Sequence, residues 1–497
     1  MRPSLPELKE YAKGYQLVPV YKTIKAGEKQ PVDLLRKLKN YSHKLFMLEH
    51  TNHDAAGNVV WDRYSYLGFS PALAVSCIER KITIATAQAS FSFETDAPAA
   101  FLRDIVSQNT APKLPGLPPF FGGFAGYFSY EYIHLNEPTC HFCTENREGY
   151  RDFDLMLFDK LYVFDREDQV IYLICNIATD NLERNYREAE STLSEMERIL
   201  SEPSENTVMP LRLLSGLSPI YQKDAYMQMV EKAKHYIRKG DVAQIVLTNG
   251  KKAQAEGSLI DTFDFLRKTD PTRYMCFLSS DDMEAAMASP EPIARLHNGT
   301  VMTERLAGSY PRGKTPQEDR AQAEALRTDA KAIDEHNMLV DDSRNEFGYV
   351  SKIGTVDVKG YLNVVRCSRV MHLGSTITGE LKEGMNALDV INTITPSGAV
   401  SGAPKIRSCE VINEIEQERR GIYGSAVGYI GLDGDADFFV FIHSAFLKNG
   451  ELTVRAGGGI VIDSVPEEEY KECLFKAEAM LNAIQLASEE KQNDSLN

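Results

Sequence analysis

No run of 18 apolar residues occurs in this chain of 497 residues, which removes helical membrane spans from consideration. The N-terminus, Met1-Arg2-Pro3-Ser4-Leu5-Pro6-Glu7, lacks an apolar h-region, so no secretory signal is expected. Cysteine is sparse. Eight in so long a chain, without a short disulfide framework, suit a reducing compartment. Cys140-x-x-Cys143 is the one close pair, and with no second pair at zinc-finger spacing it reads as chance. Basic residues are outnumbered, 55 against 71, and the net charge of −16 argues against a nucleic-acid-binding surface and for solubility. Internal repeats and low-complexity blocks are absent too. These absences together predict a cytoplasmic protein with no membrane or nucleic-acid partner. The remainder, 43% hydrophobic and 25% charged, is ordinary for a globular chain, and the length exceeds a single core, so two or more lobes are expected.

The first half reads as strand-rich. Lys44 to Glu49 and Lys81 to Thr86 are short β-type runs bounded by polar turns. Phe120 to Phe128 is aromatic and glycine-rich, as where strands bend or pack closely. Leu161 to Phe164 and Val170 to Ile174 flank a polar turn, a hairpin pattern, and a charged helix is predicted from about Asp180 to Leu200. The polar Pro/Ser stretch from Ser201 to Thr207 places the main boundary. Beyond it the pattern predicts helices over Lys223 to Lys239 and Pro316 to Val340. It also predicts strands at Ala243 to Leu247, near Tyr429, over Phe438 to Phe441 and over Leu452 to Val454, and a last helix finishing with Ala477 to Ala487. The expected division is an N-terminal lobe at 1–200, a linker at 201–221, a second domain at 222–487 and a disordered tail at 488–497. Strands and helices without regular βαβ alternation favour an α+β fold with sizeable antiparallel sheets.

The segment Ala456 to Glu472 has the most chemical character. Gly457, Gly458 and Gly459 let a backbone approach a neighbour closely, because no Cβ intervenes. Ser464, Pro466 and Glu467 sit where a cap, a first turn and a capping box belong, and Glu469 and Glu472 share one helix face. A glycine floor beside paired carboxylates suits an anionic ligand held through a divalent cation; a tight turn before a solvated acidic helix accounts for the same residues. Ala288-Ser-Pro-Glu291, Ala307-Gly308-Ser309, Glu335-His336, His372 and the small-residue loop Pro396 to Lys405 have the same double reading. Their joint presence favours function.

Together these segments resemble the large, chorismate-using component of anthranilate synthase. The resemblance rests on Arg305-Leu-Ala-Gly-Ser-Tyr-Pro-Arg-Gly313, Glu335-His-Asn-Met-Leu-Val-Asp341 with Arg344-Asn345, Val370-Met-His-Leu373, Ser401-Gly-Ala-Pro-Lys405, Tyr423-Gly424 through Gly428-Tyr429, Ala456 to Gly459 and Asp463 to Pro466. It is strongest from about 222 to 485 and weaker before, where Arg63 to Gly68 and Gly122 to Tyr127 carry it. The resemblance implies the chorismate-utilising fold, antiparallel sheets packed as a sandwich with helices outside, and a Mg²⁺-dependent lyase of tryptophan biosynthesis that aminates chorismate with ammonia and eliminates pyruvate. Glu335, Glu469 and Glu472 match the metal-associated glutamates. Glu291 matches the general acid, its carboxyl expected to be raised by nearby glutamates and burial. His372 matches the histidine of pyruvate loss. Gly308, Ser309, Tyr423, Gly457, Gly459 and Lys476 match substrate-binding positions. Isochorismate-forming relatives carry a lysine where this chain has Gln244, and aminodeoxychorismate synthases often carry one at Ala307, so the nucleophile is expected to be external ammonia. No glutaminase segment is present, and a separate glutamine amidotransferase subunit is implied.

The pattern breaks at several positions. The arginine that clamps a substrate carboxylate falls at His443, and loss of a bidentate contact to a buried carboxylate costs about 2–5 kcal/mol. A usual glutamate is Ala332 and a site threonine is Ala399, while Ser309 keeps its hydroxyl. The tryptophan-sensing segments read Met47-Leu48-Glu49-His50 and Asp270-Pro-Thr-Arg-Tyr274-Met275, so weak or absent inhibition by tryptophan is expected. Two rival readings follow: a paralogue forming 2-amino-2-deoxyisochorismate or using a modified chorismate-like substrate, and a catalytically weakened binding subunit.

Overall fold

The computed structural model describes residues 1–53, 58–203, 207–367 and 370–494. It is an α+β structure built on two antiparallel sheets. The first runs, edge to edge, through Leu17–Lys25, Val170–Ala178, Lys160–Asp165, Val59–Phe69, Leu45–His53, Tyr274–Ser279, Met283–Ser289, Ser444–Lys448, Glu451–Ile460, Gln244–Glu256 and Arg212–Leu213. The second runs through Asp357–Arg366, Val370–Glu380, Thr300–Pro311, Pro292–His297, Ala436–Val440, Ala426–Gly431, Gly123–Phe128, Phe153–Phe158, Leu73–Ile78, Lys81–Ala85 and Ser90–Glu94. Strands from 1–200 and from 222–487 pair directly in both sheets: His50 lies opposite Tyr274 in the first, and Gly126 opposite Gly428 in the second.

Period-two alternation explains the layering. Along Leu45–His53, Phe46 and Leu48 enter the core between the sheets, while Leu45 and Met47 enter the layer on the opposite face. The inter-sheet core is aromatic; Phe120 stacks on Tyr429 at 4.1 Å and meets Tyr66 edge-on at 5.7 Å. The outer layer is closed by the helices Pro31–Lys39, Leu182–Ser201, Ile260–Thr269 and the last helix, through residues such as Leu35, Leu193, Phe263 and Met480.

Three local expectations change. The helix predicted over Pro316 to Val340 is two, Pro316–Thr328 and Ala330–Val350. Asp329 stands between them in extended backbone, and its carboxylate accepts the Lys331 and Ala332 N–H groups, so side-chain capping wins over helix continuation. The last helix spans Pro466–Asp494 and therefore runs through most of the segment expected to be disordered; it meets no Gly or Pro to stop it, and 495–497 lie outside the described residues. The capping box expected at Ser464 and Glu467 is replaced by other bonds. Val461 N–H donates to Ser464 Oγ at 3.1 Å, bracing the turn, and Glu467 pairs with Lys223 at 2.7 Å.

Candidate active site

Gly457, Gly458 and Gly459 lie near the end of the strand Glu451–Ile460, and each leaves room for a polar group. A Cβ would stand 3.2 Å from the Tyr423 hydroxyl at Gly457, 3.3 Å from Glu469 Oε2 at Gly458, and 2.5 Å from Gln244 Nε2 at Gly459. By strand alternation Gly457 and Gly459 share a face with Tyr423 and Gln244, and Gly458 presents the other face to Glu469. The glycine floor is thus a close approach of backbone to functional side chains, with Gly459 itself exposed.

Glu291 follows the strand Met283–Ser289 and is anchored through its carbonyl, which accepts Val440 N–H at 3.0 Å. Only 24% of its side chain is exposed, and burial pushes its carboxyl up from the ordinary range. The charge beside it is a cation rather than the glutamates expected: Arg305 Nη1 lies 3.6 Å from Glu291 Oε1 and pulls the other way, as does the Ser397 hydroxyl. Burial wins because the pair is not in full contact. Tyr423, whose hydroxyl stands at the glycine floor, also feels the Glu291 charge.

His372 lies on the strand Val370–Glu380. Its Nδ1 is 2.7 Å from the Gly308 carbonyl, a pure acceptor, so Nδ1 carries the proton and Nε2 keeps a lone pair. Ser309 Oγ is 3.3 Å from the same nitrogen. Burial draws the imidazole pKa down, favouring the neutral ring. Gly308 takes φ +65°, where its missing Cβ would be 2.7 Å from Ala332 Cβ. Ala332 is therefore a packing residue, in a cluster with Leu326, Met371 and Leu373, and supplies no oxygen to the site.

A polar edge completes the arrangement. Lys476 Nζ bonds Glu472 at 2.7 Å and donates to Gly457 O at 3.2 Å. His443, at φ +48°, is pulled down to about 4 by burial and by the nearby Lys476 charge, and is neutral where partial charge was expected. Glu469 is pushed up by burial and by Glu472, and the charge of Lys331, at the start of the helix Ala330–Val350, reaches it. Glu335 faces solvent one turn along that helix, whereas its neighbour His336 is buried against Ser375 Oγ at 2.7 Å. Among the described residues no three His, Cys, Asp or Glu side chains converge into a metal cage. The donor chemistry fits a hard cation even so: two oxygen-only groups repel each other, and a divalent ion relieves that repulsion.

The four residues expected in a regulatory site divide between faces. His50 and Tyr274 are cross-strand partners on one face, their rings 4.9 Å apart, with His50 Nε2 3.4 Å from Asp437. Glu49 and Met275 are partners on the other. Glu49 is fully buried between Arg166 and Arg267, whose guanidiniums lie 5.4 and 4.9 Å from the Trp61 ring. Arg273 turns to Glu304 at 2.8 Å instead of into a pocket. His50 opens on a cavity of about 750 Å³ that also holds Tyr66, Arg295, Tyr429 and Asp437.

Sequence reasoning missed the partly buried network behind Glu291: Arg305 with Ser343, Glu346 and Lys405. Arg305 and Lys405 lie in the segments that carry the resemblance, but their neighbours Glu304 and Pro404 give no sign of an ion-pair row.

The fold and the family match define an enzyme of the chorismate-utilising lyase type. Residues 46–482 match the chorismate binding enzyme family, and the chain belongs to it. It is 36% identical over 499 residues to anthranilate synthase component 1 of Acetivibrio thermocellus, covering 98% of this chain and 99% of the relative. With that of Acinetobacter calcoaceticus it shares 34% identity, covering 96% of each. The crystal structure of anthranilate synthase component I from Streptococcus pneumoniae superimposes with a TM-score of 0.75 at 31% identity, covering 92% of this chain and 98% of that one.

Proposed function

We propose that this chain is the chorismate-using component of an anthranilate synthase, cytoplasmic and dependent on Mg²⁺ and on ammonia from a separate glutamine amidotransferase. The observation that carries the reading is the opposed tuning of two largely buried groups: burial raises Glu291 and lowers His372, in the directions that an acid and a base acting near neutral pH require. Glu291 donates its proton to the C4 hydroxyl, which leaves as water while ammonia bonds to C2. His372 Nε2 then takes the C2 proton, the bond to the enolpyruvyl oxygen breaks, and the methylene of the departing group gains a proton as pyruvate forms and the ring becomes aromatic. Glu469 and Glu472, with Glu335 as the third group the resemblance implies, would hold the Mg²⁺, which when bound would supply charge neutralisation for a substrate carboxylate. Lys476, bonded to Glu472, adds a cation to that edge.

A second reading has specific support. His443 is neutral and Ala332 is sealed against Gly308, so the carboxylate-binding side carries less positive charge and less oxygen than the pattern implies. A substrate altered at that carboxylate, or a reaction stopping at the aminated intermediate, fits these changes. Purified protein with chorismate, Mg²⁺ and an ammonium salt tests both, followed by anthranilate fluorescence and mass spectrometry. Anthranilate supports the first reading, a chorismate–ammonia adduct or a need for another substrate supports the second, and no turnover with any candidate points to a binding subunit.

A further inference from the structure

Glu291 is the first member of a partly buried row of alternating charges. Arg305, on the strand Thr300–Pro311, is 4% exposed, and its Nη1 stands 3.6 Å from Glu291 Oε1. Its Nη2 stands 3.9 Å from Glu346 Oε2, on the helix Ala330–Val350. Lys405, opening the helix Lys405–Glu416, closes the row at 2.6 Å from Glu346 Oε1 and is itself tied to the Ile394 carbonyl at 2.8 Å. Two neutral acceptors hold the guanidinium back from Glu291: Nε donates to Ser343 Oγ at 2.6 Å, and Nη1 to the Pro292 carbonyl at 3.3 Å. The other titratable groups near this row are Asp342, on the same helix as Glu346, and Tyr423.

A bidentate arginine on an acid drives it to the carboxylate, which has no proton to give. A buried acid with no cation nearby is protonated but unoriented. We propose that Arg305 and Glu346 are positioning residues for Glu291: Arg305 orients the acid from a distance, and Glu346, fixed by Lys405, shares the arginine's charge and so limits its pull on the Glu291 proton. This rests on the reading of Glu291 as the acid.

The two residues act with opposite sign, which a merely structural role does not produce. With carboxyl-¹³C glutamate labelling, the Glu291 signal is the one that disappears in Glu291→Gln, and its titration midpoint is read directly. Glu346→Gln leaves the arginine uncompensated and moves the midpoint down; Arg305→Gln removes the cation and moves it up, each by at least about 0.5 pH unit. Arg305→Lys keeps the charge and holds the midpoint near wild type, which covers the case in which Arg305→Gln does not fold. An unmoved midpoint in folded Glu346→Gln, or shifts of the same sign in both variants, overturns the proposal. The pH profile of kcat/KM should follow the same order. If Glu291→Gln keeps full turnover, the reading of Glu291 as the acid fails instead, whatever the midpoints do.

Discussion

The role proposed for His372 turns on one hydrogen bond. The Gly308 carbonyl can only accept, so the ring proton stays on Nδ1 and Nε2 is left basic. His372→Gln keeps a donor for that carbonyl but loses the base. We expect the aminated intermediate to accumulate while anthranilate formation falls by about 10²–10⁴-fold, read by mass spectrometry of the quenched reaction. Equal loss of both products would count against the assignment. His443 gives a pH signature. Its folded value of about 4 lies below the ordinary 6.5, so the unfolded chain binds a proton that the folded chain refuses. This contribution to stability is complete above 6.5 and is lost as pH falls towards 4. Thermal melts of wild type and His443→Gln should therefore keep a constant offset near pH 7 and change relative to each other as pH falls towards 4, with the variant showing the shallower acid decline.

At the scale of elements, the tight place is where the strand Thr300–Pro311 meets the helix Ala330–Val350. Gly308 takes a left-handed φ of +65°, and an added methyl would press on Ala332 Cβ at 2.7 Å and Leu326 Cδ1 at 2.9 Å. Gly308→Ala should cost about 1–3 kcal/mol in denaturant unfolding and also displace the carbonyl that orients His372. Asp329→Ala should cost about 1 kcal/mol by removing the cap that starts the second helix. The elements themselves were largely legible: the hairpin of Lys160–Asp165 and Val170–Ala178 and the helix Lys223–Lys239 follow from alternation and periodicity. The break at Asp329 was not, because an Asp inside a helical pattern caps or is tolerated according to what surrounds it. Here Tyr310 donates to its free oxygen at 3.0 Å, fixing it in place.

At the scale of the whole molecule, the two sheets bring His50 from one end of the chain beside Asp437 near the other. Asp437 is buried, drawn down to about 2 by Arg295 and His50, and pairs with Arg295 at 2.8 Å. A ligand with an ammonium group that sought this carboxylate would have to displace a guanidinium and an imidazole. Isothermal titration should show no tryptophan binding at micromolar concentrations, and turnover should be unaffected by it; a micromolar Kd would overturn this. Among the described residues no helix is long and apolar enough to cross a membrane.

By itself the sequence determined the kinds of groups available: the three glycines before Glu469 and Glu472, the acid at Glu291, the histidine at 372, and the departures at Ala332 and His443. These are local, and motif spacing along one chain preserves them. Only the tertiary structure decided how the groups are tuned. Arg305 is 14 residues from Glu291 and Glu346 is 55, yet their separations across two sheets and a helix set the balance of burial against charge, and such distances follow from packing rather than from position in the chain.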